Sequence, residues 1–412
     1  MGNLNTLILD DCNIEIIKEN AFQNVPSLEM LSIQRNRFAT LTDALMIPSL
    51  KVLKLSGSFS IPMSNIQVPN EMFKNMENLQ NLTMKGFDFN SGLQRSMLTG
   101  LTGLLNLDLS HSKFDFVAEN AFTALENLQN LTMVHCFGFD SLPAMALKGP
   151  KKLEFIDLAS TQIFPISGVE LHPDNDTEGS PLSNIKVLNL SSSLSNIDDG
   201  IEILGLQKMH LLERLDISRN VIHNWQTEKF TNSKIETLVM KNIKDYISLT
   251  PAMISDFSKL KYLDISDNTF LCNEMVSKFY QLVEDTDLEV KNWFLGFGLV
   301  CVEDPETGNK TTFYEYATNG QGMNDAIPQP EDPIDNSKQS IIIGIISGVS
   351  GKIKRSAFKF SKIQFLTCME VYLYFRSYLY ANCTGECKSA PISKQTNFFR
   401  QSSRSNIVLT VV

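Results

Sequence analysis

The side chains that could do chemistry in this 412-residue sequence recur at equivalent positions of one repeated phrase. A row of carboxylates is the clearest example, and it consists of Asp108, Asp157, Asp216 and Asp264. Such a row on one surface would attract a basic partner. The alternative is that Leu-Asp-Leu-Ser is simply the common form of the repeated phrase. Both interpretations stay open at this point.

Two histidines also share a position. His111 and His135 occupy the same place in consecutive copies of the phrase, and Thr132 lies in the row of Asp108. Adjacent strands lie about 4.8 Å apart, so the two imidazoles should be neighbours. Protonating both would cost repulsion, which predicts a pH-dependent patch. Two independently solvated surface histidines are the alternative.

The sequence contains no catalytic constellation. It lacks a glycine-rich phosphate loop, Gly-x-Ser-x-Gly and His-Glu-x-x-His, and its five histidines are dispersed. His172 with Asp174 and Asp176 could hold a cation, but a solvated turn is the favoured interpretation. Cys383 and Cys387 have no second cysteine pair, so a zinc knuckle is weakly indicated. We therefore predict a non-enzymatic binding module without a metal or cofactor.

The phrase that positions these residues is Leu-x-x-Leu-x-Leu-x-x-Asn. Its copies follow one another at 22 to 32 residues. The second and third apolar residues lie two apart and so face one side of a short strand. One copy cannot bury that face alone, but stacked copies close a continuous core. The copies begin at Leu4, Leu28, Leu50, Leu79, Leu104, Leu128, Leu153, Ile185, Leu212, Ile235 and Leu260.

This spacing resembles the leucine-rich repeat. The resemblance implies an α/β solenoid, a horseshoe with a parallel concave sheet and a C-terminal cysteine cap. The central outward residues of the strands should form the concave face, where we place the ligand-face candidates Asp108, His111, Thr132, His135, Asp157, Asp216 and Asp264.

The asparagine that ends the phrase can bond backbone groups of the adjoining turn. Asn36, Asn220 and Asn268 keep it, and the residues that replace it include Cys12, Ser112, Cys136, Thr161, Ser193 and Ile243. The cysteines are interpreted as buried structural thiols. Ile243 has no side-chain donor, so we expect a looser turn there.

Charge divides the chain into two parts. Residues 1–337 contain 25 Lys+Arg and 44 Asp+Glu, whereas residues 338–412 contain 11 and 2. The first part therefore carries a formal charge of −19 and the second a charge of +9, which together give the net charge of −10. The acidic part argues against generic capture of nucleic acid through phosphate neutralisation.

Composition suggests five segments. We expect a solenoid without an N-terminal cap over 1–270, a cap over 271–327, a Pro-rich stalk linker over 328–339, an apolar segment over 340–351 and an unassigned or disordered basic tail over 352–412. That order is typical of a single-pass receptor. A bilayer span needs about 20 apolar residues, so the apolar segment is an incomplete membrane-like segment. An interfacial segment on a secreted or soluble chain is the alternative.

The N-terminus leads directly into a repeat strand. Met1 precedes no basic region, apolar signal segment or cysteine-rich cap. An uncapped first repeat would expose core to water. We therefore expect the chain to be the C-terminal part of a longer ectodomain, with a cytosolic repeat protein as the alternative.

The sequence after the last repeat resembles the cysteine-containing cap of extracellular leucine-rich-repeat proteins. The resemblance covers Asn268-Thr269-Phe270-Leu271-Cys272 and Cys301-Val302-Glu303-Asp304-Pro305. Two of the four cysteines of that family are missing together, since Glu274 replaces one and none follows Cys301 before residue 368. The resemblance implies a Cys272–Cys301 disulfide. Two free thiols in a reducing compartment are the alternative.

Asparagine glycosylation sequons occur at Asn81, Asn130, Asn175, Asn189, Asn309 and Asn382. This number is expected by chance and is no evidence for secretion. Asn175, in a long Pro-rich insertion, is the safest acceptor, and Asn309, Asn81 and Asn130 are the other candidates. A glycan on Asn189 would obstruct the concave face.

Repeats, cap, stalk and apolar segment together resemble a Toll-like receptor ectodomain. The supporting phrases are Glu19-Asn20-Ala21-Phe22, its counterpart at Glu119-Asn120-Ala121-Phe122, and Leu107-Asp108-Leu109-Ser110. The cytoplasmic signalling domain of that family is absent from this sequence. The resemblance implies an innate-immunity glycoprotein that binds a protein or microbial ligand, forms homo- or heterodimers and is anchored in the cell membrane with extracellular repeats, or is a secreted fragment. An extracellular adhesion or matrix protein is the alternative, followed by an intracellular scaffold.

Overall fold

The computed structural model describes most of the repeats and the cap. The described residues are 3–37, 41–42, 45–57, 68–89, 92–139, 142–161, 182–193, 209–222, 225–230, 233–293, 296, 298–319 and 407–409. All belong to one compact unit, Met1–Met323 with Ser405–Val412. The stalk linker, the apolar segment, the basic tail outside 407–409 and the sequons Asn175 and Asn382 lie outside the described residues. The segment boundaries proposed there stay predictions.

A single parallel sheet runs through the described repeats. It has twelve strands, of which eleven come from the eleven copies of the phrase and the twelfth from the cap. Each strand pairs in register with the equivalent strand of the next copy, so equivalent residues form straight rows across the sheet. The strands are Thr6–Ile8, Met30–Ile33, Val52–Ser56, Asn81–Lys85, Asn106–Asp108, Asn130–Thr132, Phe155–Asp157, Val187–Asn189, Arg214–Asp216, Thr237–Val239, Tyr262–Asp264 and Glu289–Val290.

The alternation of the phrase explains these strands. Leu31 and Ile33 are fully buried, and the equivalent apolar pairs of the later repeats are buried in the same way. The outward residues between them face the concave surface. The residue before the asparagine position has positive φ in ten copies, including His111 (61°) and His135 (54°). This left-handed residue turns the chain out of the sheet.

The asparagine position joins each repeat to the one before it. Asn268 Nδ2 donates to Met240 O at 2.7 Å, and Asn36 Nδ2 donates to Leu9 O at 2.8 Å. Thr161 and Ser193 make the equivalent bond with a hydroxyl, to Met133 O and Leu158 O. The repeats are therefore linked by a buried row of donors, whichever residue type supplies the donor.

Two expectations at this position are corrected by the structure. Cys12 is exposed rather than buried, because no repeat within the described residues covers that side of the first strand. The turn at Ile243 is closed, because its N–H donates to Asn268 Oδ1 at 2.7 Å and its side chain is buried. Cys136 is buried as expected, and burial raises the pKa of its thiol to about 12.

The convex side consists of turns with two short 3-10 helices, Arg95–Leu98 and Ala144–Lys148. Phe22, Phe122 and Phe230 fill this layer and are almost fully buried. Small lateral sheets pair Asp88–Phe89 with Lys113–Phe114 and Ile14–Ile17 with Ile407–Leu409. These phenylalanines are therefore part of the core.

The end of the solenoid is closed by a second sheet of Ile247–Ser248, Phe270–Leu271, Val300–Asp304 and Asn309–Thr312, with helices Pro251–Phe257, Glu274–Asp285 and Phe313–Asn319. Phe279 lies at the centre of this end, with ring centroids 5.9 Å from Phe257 and 5.7 Å from Trp293. Cys272 and Cys301 form a disulfide there. The cap thus covers the last apolar layer of the repeats.

Candidate ligand-binding face

The concave sheet carries five of the seven ligand-face candidates, and the other two, His111 and His135, lie in the turns that follow its strands. Register places Asp108, Thr132, Asp157, Asp216 and Asp264 in one central row, with Asn189 and Val239 between the later members. The carboxylates therefore alternate with uncharged residues, and successive members lie two strands apart, about 10 Å. They form a spaced row and not a cluster.

Each of the four aspartates ends its own strand. The Oδ1 atom of Asp108 accepts the N–H of Ser110, and that of Asp264 accepts the N–H of Ser266. Asp157 and Asp216 accept from the residue two positions further on in the same way. This is the local bond by which Asp stabilises a turn. The Leu-Asp-Leu-Ser phrase thus has a structural role as well as a surface charge.

Two of these carboxylates are neutralised by lysines of neighbouring strands. Lys85 Nζ lies 2.8 Å from Asp108 Oδ2, and Lys291 Nζ lies 3.0 Å from Asp264 Oδ2. Burial alone would raise the pKa of Asp264, but hydrogen bonds from Ser266 and Lys291 outweigh it and hold that pKa below its ordinary value. Asp264 is also only 4% exposed. It therefore offers a ligand less than the sequence suggested.

The negative charge of the row concentrates on its middle. Asp157 and Asp216 make no ion pair with any of the described residues. Burial raises the pKa of Asp157, and the charges of Asp216 and Asp108 add to that effect. Asp157 and Asp216 are thus the two carboxylates of the row that form no ion pair among the described residues.

The two histidines stack, as their spacing predicts. The ring centroids of His111 and His135 lie 5.1 Å apart with 23° between the ring planes. Burial lowers the pKa of His111, and repulsion from His135 and Lys85 lowers it further, against an opposing effect of Asp108. The described residues contain no group of three or more His, Cys, Asp or Glu side chains that could hold a metal ion.

This pair makes stability depend on pH. The unfolded chain binds a proton at His111 near pH 6.5, whereas the folded chain does so only at lower pH. The stabilisation linked to His111 is therefore present above about pH 6.5 and is lost as pH falls through that value and through the lower folded-state pKa. We expect urea unfolding to show a larger loss of stability between pH 7 and pH 5 for the wild type than for His111→Gln. His210→Gln, an exposed histidine elsewhere, is the control, and parallel pH dependences of all three proteins would contradict the prediction.

The sequence interpretation missed a second row beside the carboxylates. Asn81, Asn106 and Asn130 lie in register on three adjacent strands. Asn106 Nδ2 donates to Asn81 Oδ1 at 2.6 Å, and Asn130 Nδ2 donates to Asn106 Oδ1. Reading the repeats at the position two before the central row would have shown the three asparagines. We call these three residues the amide ladder.

An open groove lies over the amide ladder. Its volume is about 510 Å³, and it is lined by the ladder, Thr83, Asp108 and Thr132, with Met30, Val52 and Lys54 towards the first repeats. Ligand pockets commonly span about 300–1,000 Å³. Four of the predicted ligand-face residues lie at the C-terminal side of the groove. Asp108 and Thr132 are on two adjacent strands there, and His111 and His135 are in the turns that follow those strands.

The amide ladder changes which sequon we expect to carry a glycan. Asn81 and Asn130 are half-buried and bonded within the ladder, whereas Asn309 is exposed at the start of a cap strand. We expect glycopeptide mass spectrometry of chain secreted from mammalian cells to find Asn309 occupied and Asn81 and Asn130 unoccupied. Thr311→Ala, which removes the Asn309 sequon, should delete that glycan, and substantial occupancy of Asn130 would contradict the expectation.

Comparison with known proteins agrees with this architecture. A family model described as leucine rich repeat matches residues 2–58. The mouse RP105/MD-1 complex superposes on 76% of this chain with a TM-score of 0.58 at 16% identity. The chain is a leucine-rich-repeat solenoid. At that identity the structural likeness concerns the fold alone.

Two relatives by sequence are extracellular leucine-rich-repeat proteins. Human lumican is 25% identical over 283 residues, which cover 64% of this chain and 72% of lumican. Mouse CD180 antigen is 27% identical over 263 residues, which cover 61% of this chain and 37% of CD180. The chain also spans 53% of the RP105 chain. Among the described residues, no helix combines the length and apolarity that a membrane crossing requires.

Proposed function

We propose that this chain is the non-catalytic ligand-binding part of a Toll-like pattern-recognition receptor of innate immunity. It captures a protein or microbial ligand on the concave face, works as a homo- or heterodimer and, in the intact receptor, is held at the cell membrane with its repeats outside the cell. The observation that carries the proposal is the open groove over the amide ladder, whose polar side chains face solvent.

Two further features support an extracellular module. The cap contains the Cys272–Cys301 disulfide, and such bridges persist in oxidising compartments. One solved structure that shares this fold is of RP105 in complex with MD-1, which is a precedent for a protein partner. The loops inserted between repeats are a second place where a ligand could bind, since binding residues concentrate on loops.

A secreted matrix or adhesion protein is the second candidate. The similarity to lumican, which covers 72% of that protein, favours it. The repeats and the cap serve both roles, and the two candidates differ in what the concave face binds.

A binding panel separates the candidates. The full chain, secreted from mammalian cells and immobilised through a C-terminal tag, is titrated with lipopolysaccharide, muramyl dipeptide, purified MD-1 and fibrillar collagen. We expect saturable binding of at least one of the first three probes at micromolar concentration or below.

Two other outcomes of the panel would contradict the receptor role. Binding of collagen alone would support the matrix role and contradict the receptor role. No binding of any probe, with the chain folded by circular dichroism, would overturn the proposal.

A further inference from the structure

Neutral hydrogen-bonding groups cover the floor of the groove. The amide ladder supplies three side-chain amides in one row, and Thr83 and Thr132 flank Asp108 in the next row. All six side chains are half-buried, so they are held in position and still face the groove. Adjacent groups repeat at the strand spacing of about 4.8 Å.

The amide ladder has a direction and two open ends. A side-chain amide has two N–H donors and an oxygen with two lone pairs. Because each internal bond uses one donor and one lone pair, every asparagine keeps further capacity, and Asn81 keeps both of its donors. Within the described residues no partner occupies Asn81 Nδ2 or Asn130 Oδ1. The ladder therefore presents donors at one end and an acceptor at the other.

The charge of this floor is largely cancelled. Asp108 is the only carboxylate that lines the groove, its Oδ1 accepts from Ser110, and its Oδ2 pairs with Lys85. Lys54 lies at the edge of the groove. A strongly basic segment would find little opposite charge here. A neutral ligand rich in hydroxyl groups, each both donor and acceptor, matches the floor better.

Apolar side chains lie at one end of the groove and just beyond the other. Met30 and Val52 line one end, and Phe155 pairs in register with Asn130 at the other. A half-buried aromatic ring beside amides offers a surface for the C–H face of a sugar ring. An extended peptide would place side chains alternately towards the floor, where Leu82 and Leu107 are buried beneath the polar side chains and offer them little apolar surface.

We infer that the groove over the amide ladder binds a neutral oligosaccharide that runs across the strands. The strand spacing is close to the rise of an extended hexose chain, so successive sugars meet successive asparagines. This inference rests on the proposed function and names its ligand class.

The test uses the secreted full chain and calorimetric titration with laminarihexaose, cellohexaose and isomaltohexaose. Glycopeptide mapping of the same preparation verifies that Asn81 and Asn130 are unmodified. We expect at least one hexamer to bind with a Kd below about 1 mM. A sulfated hexose oligomer and an uncharged Gly-Ser-Gln peptide serve as charge and polymer controls.

Two variants locate the binding. Asn106→Leu keeps the branching and the number of side-chain heavy atoms and removes both ladder bonds, and it should weaken hexamer binding about tenfold. Thr132→Val removes one hydroxyl and should weaken hexamer binding by a smaller factor. Thr132→Ser keeps the hydroxyl and should leave hexamer binding unchanged. Asn127→Leu is the matched control, because the Asn127 amide also donates one bond, to Thr102 O, and accepts one, from Lys152 Nζ, but does not line the groove.

Each other outcome contradicts the inference. If no hexamer binds while a probe of the receptor panel does, the ligand class is wrong and the proposed function stands. Binding of the peptide in place of the hexamers would make the groove a peptide site. Hexamer binding that Asn106→Leu and Thr132→Val leave unchanged would place the sugar elsewhere.

Discussion

Replacing Asp256 with alanine should reduce the free energy of unfolding by about 3–5 kcal/mol. Asp256 is fully buried in the helix Pro251–Phe257, and its carboxylate reaches back to the previous repeat. It accepts from Trp225 Nε1 at 2.9 Å, from Lys229 N at 2.8 Å and from Phe230 N at 3.1 Å. The substitution leaves three buried donors without an acceptor, and each costs about 1–3 kcal/mol.

The contribution of the ion pair of Asp256 is smaller. Lys259 Nζ lies 3.3 Å from Asp256 Oδ1, but Lys259 is part-exposed and also pairs with Glu228 at 2.8 Å. Exposed pairs are commonly worth about 0–1 kcal/mol. Lys259→Ala should therefore cost far less than Asp256→Ala, which separates the buried hydrogen bonds from the charge.

Urea unfolding followed by tryptophan fluorescence measures both losses, since Trp225 contacts the substituted site. Asp287→Ala, an exposed aspartate near the cap, is the matched control and should be nearly neutral. A loss of less than about 1 kcal/mol for Asp256→Ala would show that the three donors find other partners.

The second large effect is the loss of the cap disulfide. Cys272 and Cys301 are 29 residues apart in sequence, and a bridge over a loop of that size stabilises by about 3–4 kcal/mol, mainly by restricting the unfolded chain. The double variant Cys272→Ala, Cys301→Ala should unfold at correspondingly lower urea concentration. The strands at positions 270 and 301 pair through backbone groups, which the substitutions leave in place, and Phe270 still contacts Phe313. We therefore expect the cap to be weakened rather than lost.

Two other cysteines provide controls for the disulfide. Cys12→Ser changes an exposed free thiol and should leave stability unchanged. In the folded wild type, Cys12 should be alkylated faster than Cys136: partial burial, Asp10 and Asp11 raise the pKa of the exposed Cys12 thiol, but Cys136 is buried and its pKa is raised to about 12. Rapid alkylation of Cys272 and Cys301 without reductant would contradict both the bridge and the extracellular proposal.

The repeat spacing was sufficient to predict the sheet. Each copy of the phrase became one strand, because alternation fixes which residues face inward and the constant spacing fixes the register. The stacking of His111 on His135 followed from the same reasoning. The pairing of Cys272 with Cys301 depended instead on the family resemblance, since two cysteines alone do not specify a bridge.

Other features could not be derived from the phrase. Asp256, Trp225 and Lys229 lie in the variable segments between strands, where no fixed spacing relates one repeat to the next. The neutralisation of Asp108 by Lys85 depends on side-chain reach across strands. The three asparagines of the amide ladder are visible in the sequence. The prediction of ligand contacts covers only the central position of each strand, and it treats Asn81 and Asn130 only as glycosylation sequons.

We expect this chain to bind its ligand on the concave face, and a pair of charge variants tests that expectation. Asn106→Arg places a long charged side chain in the middle of the groove, and Gln23→Arg makes the same charge change on the exposed convex side. For the tightest binder among lipopolysaccharide, muramyl dipeptide and MD-1, we predict that Asn106→Arg raises the Kd by about 30-fold or more, which is the size of effect expected when a central contact of an interface is lost. Gln23→Arg should leave it unchanged. Equal affinities of the two variants, both folded, would contradict binding on the concave face.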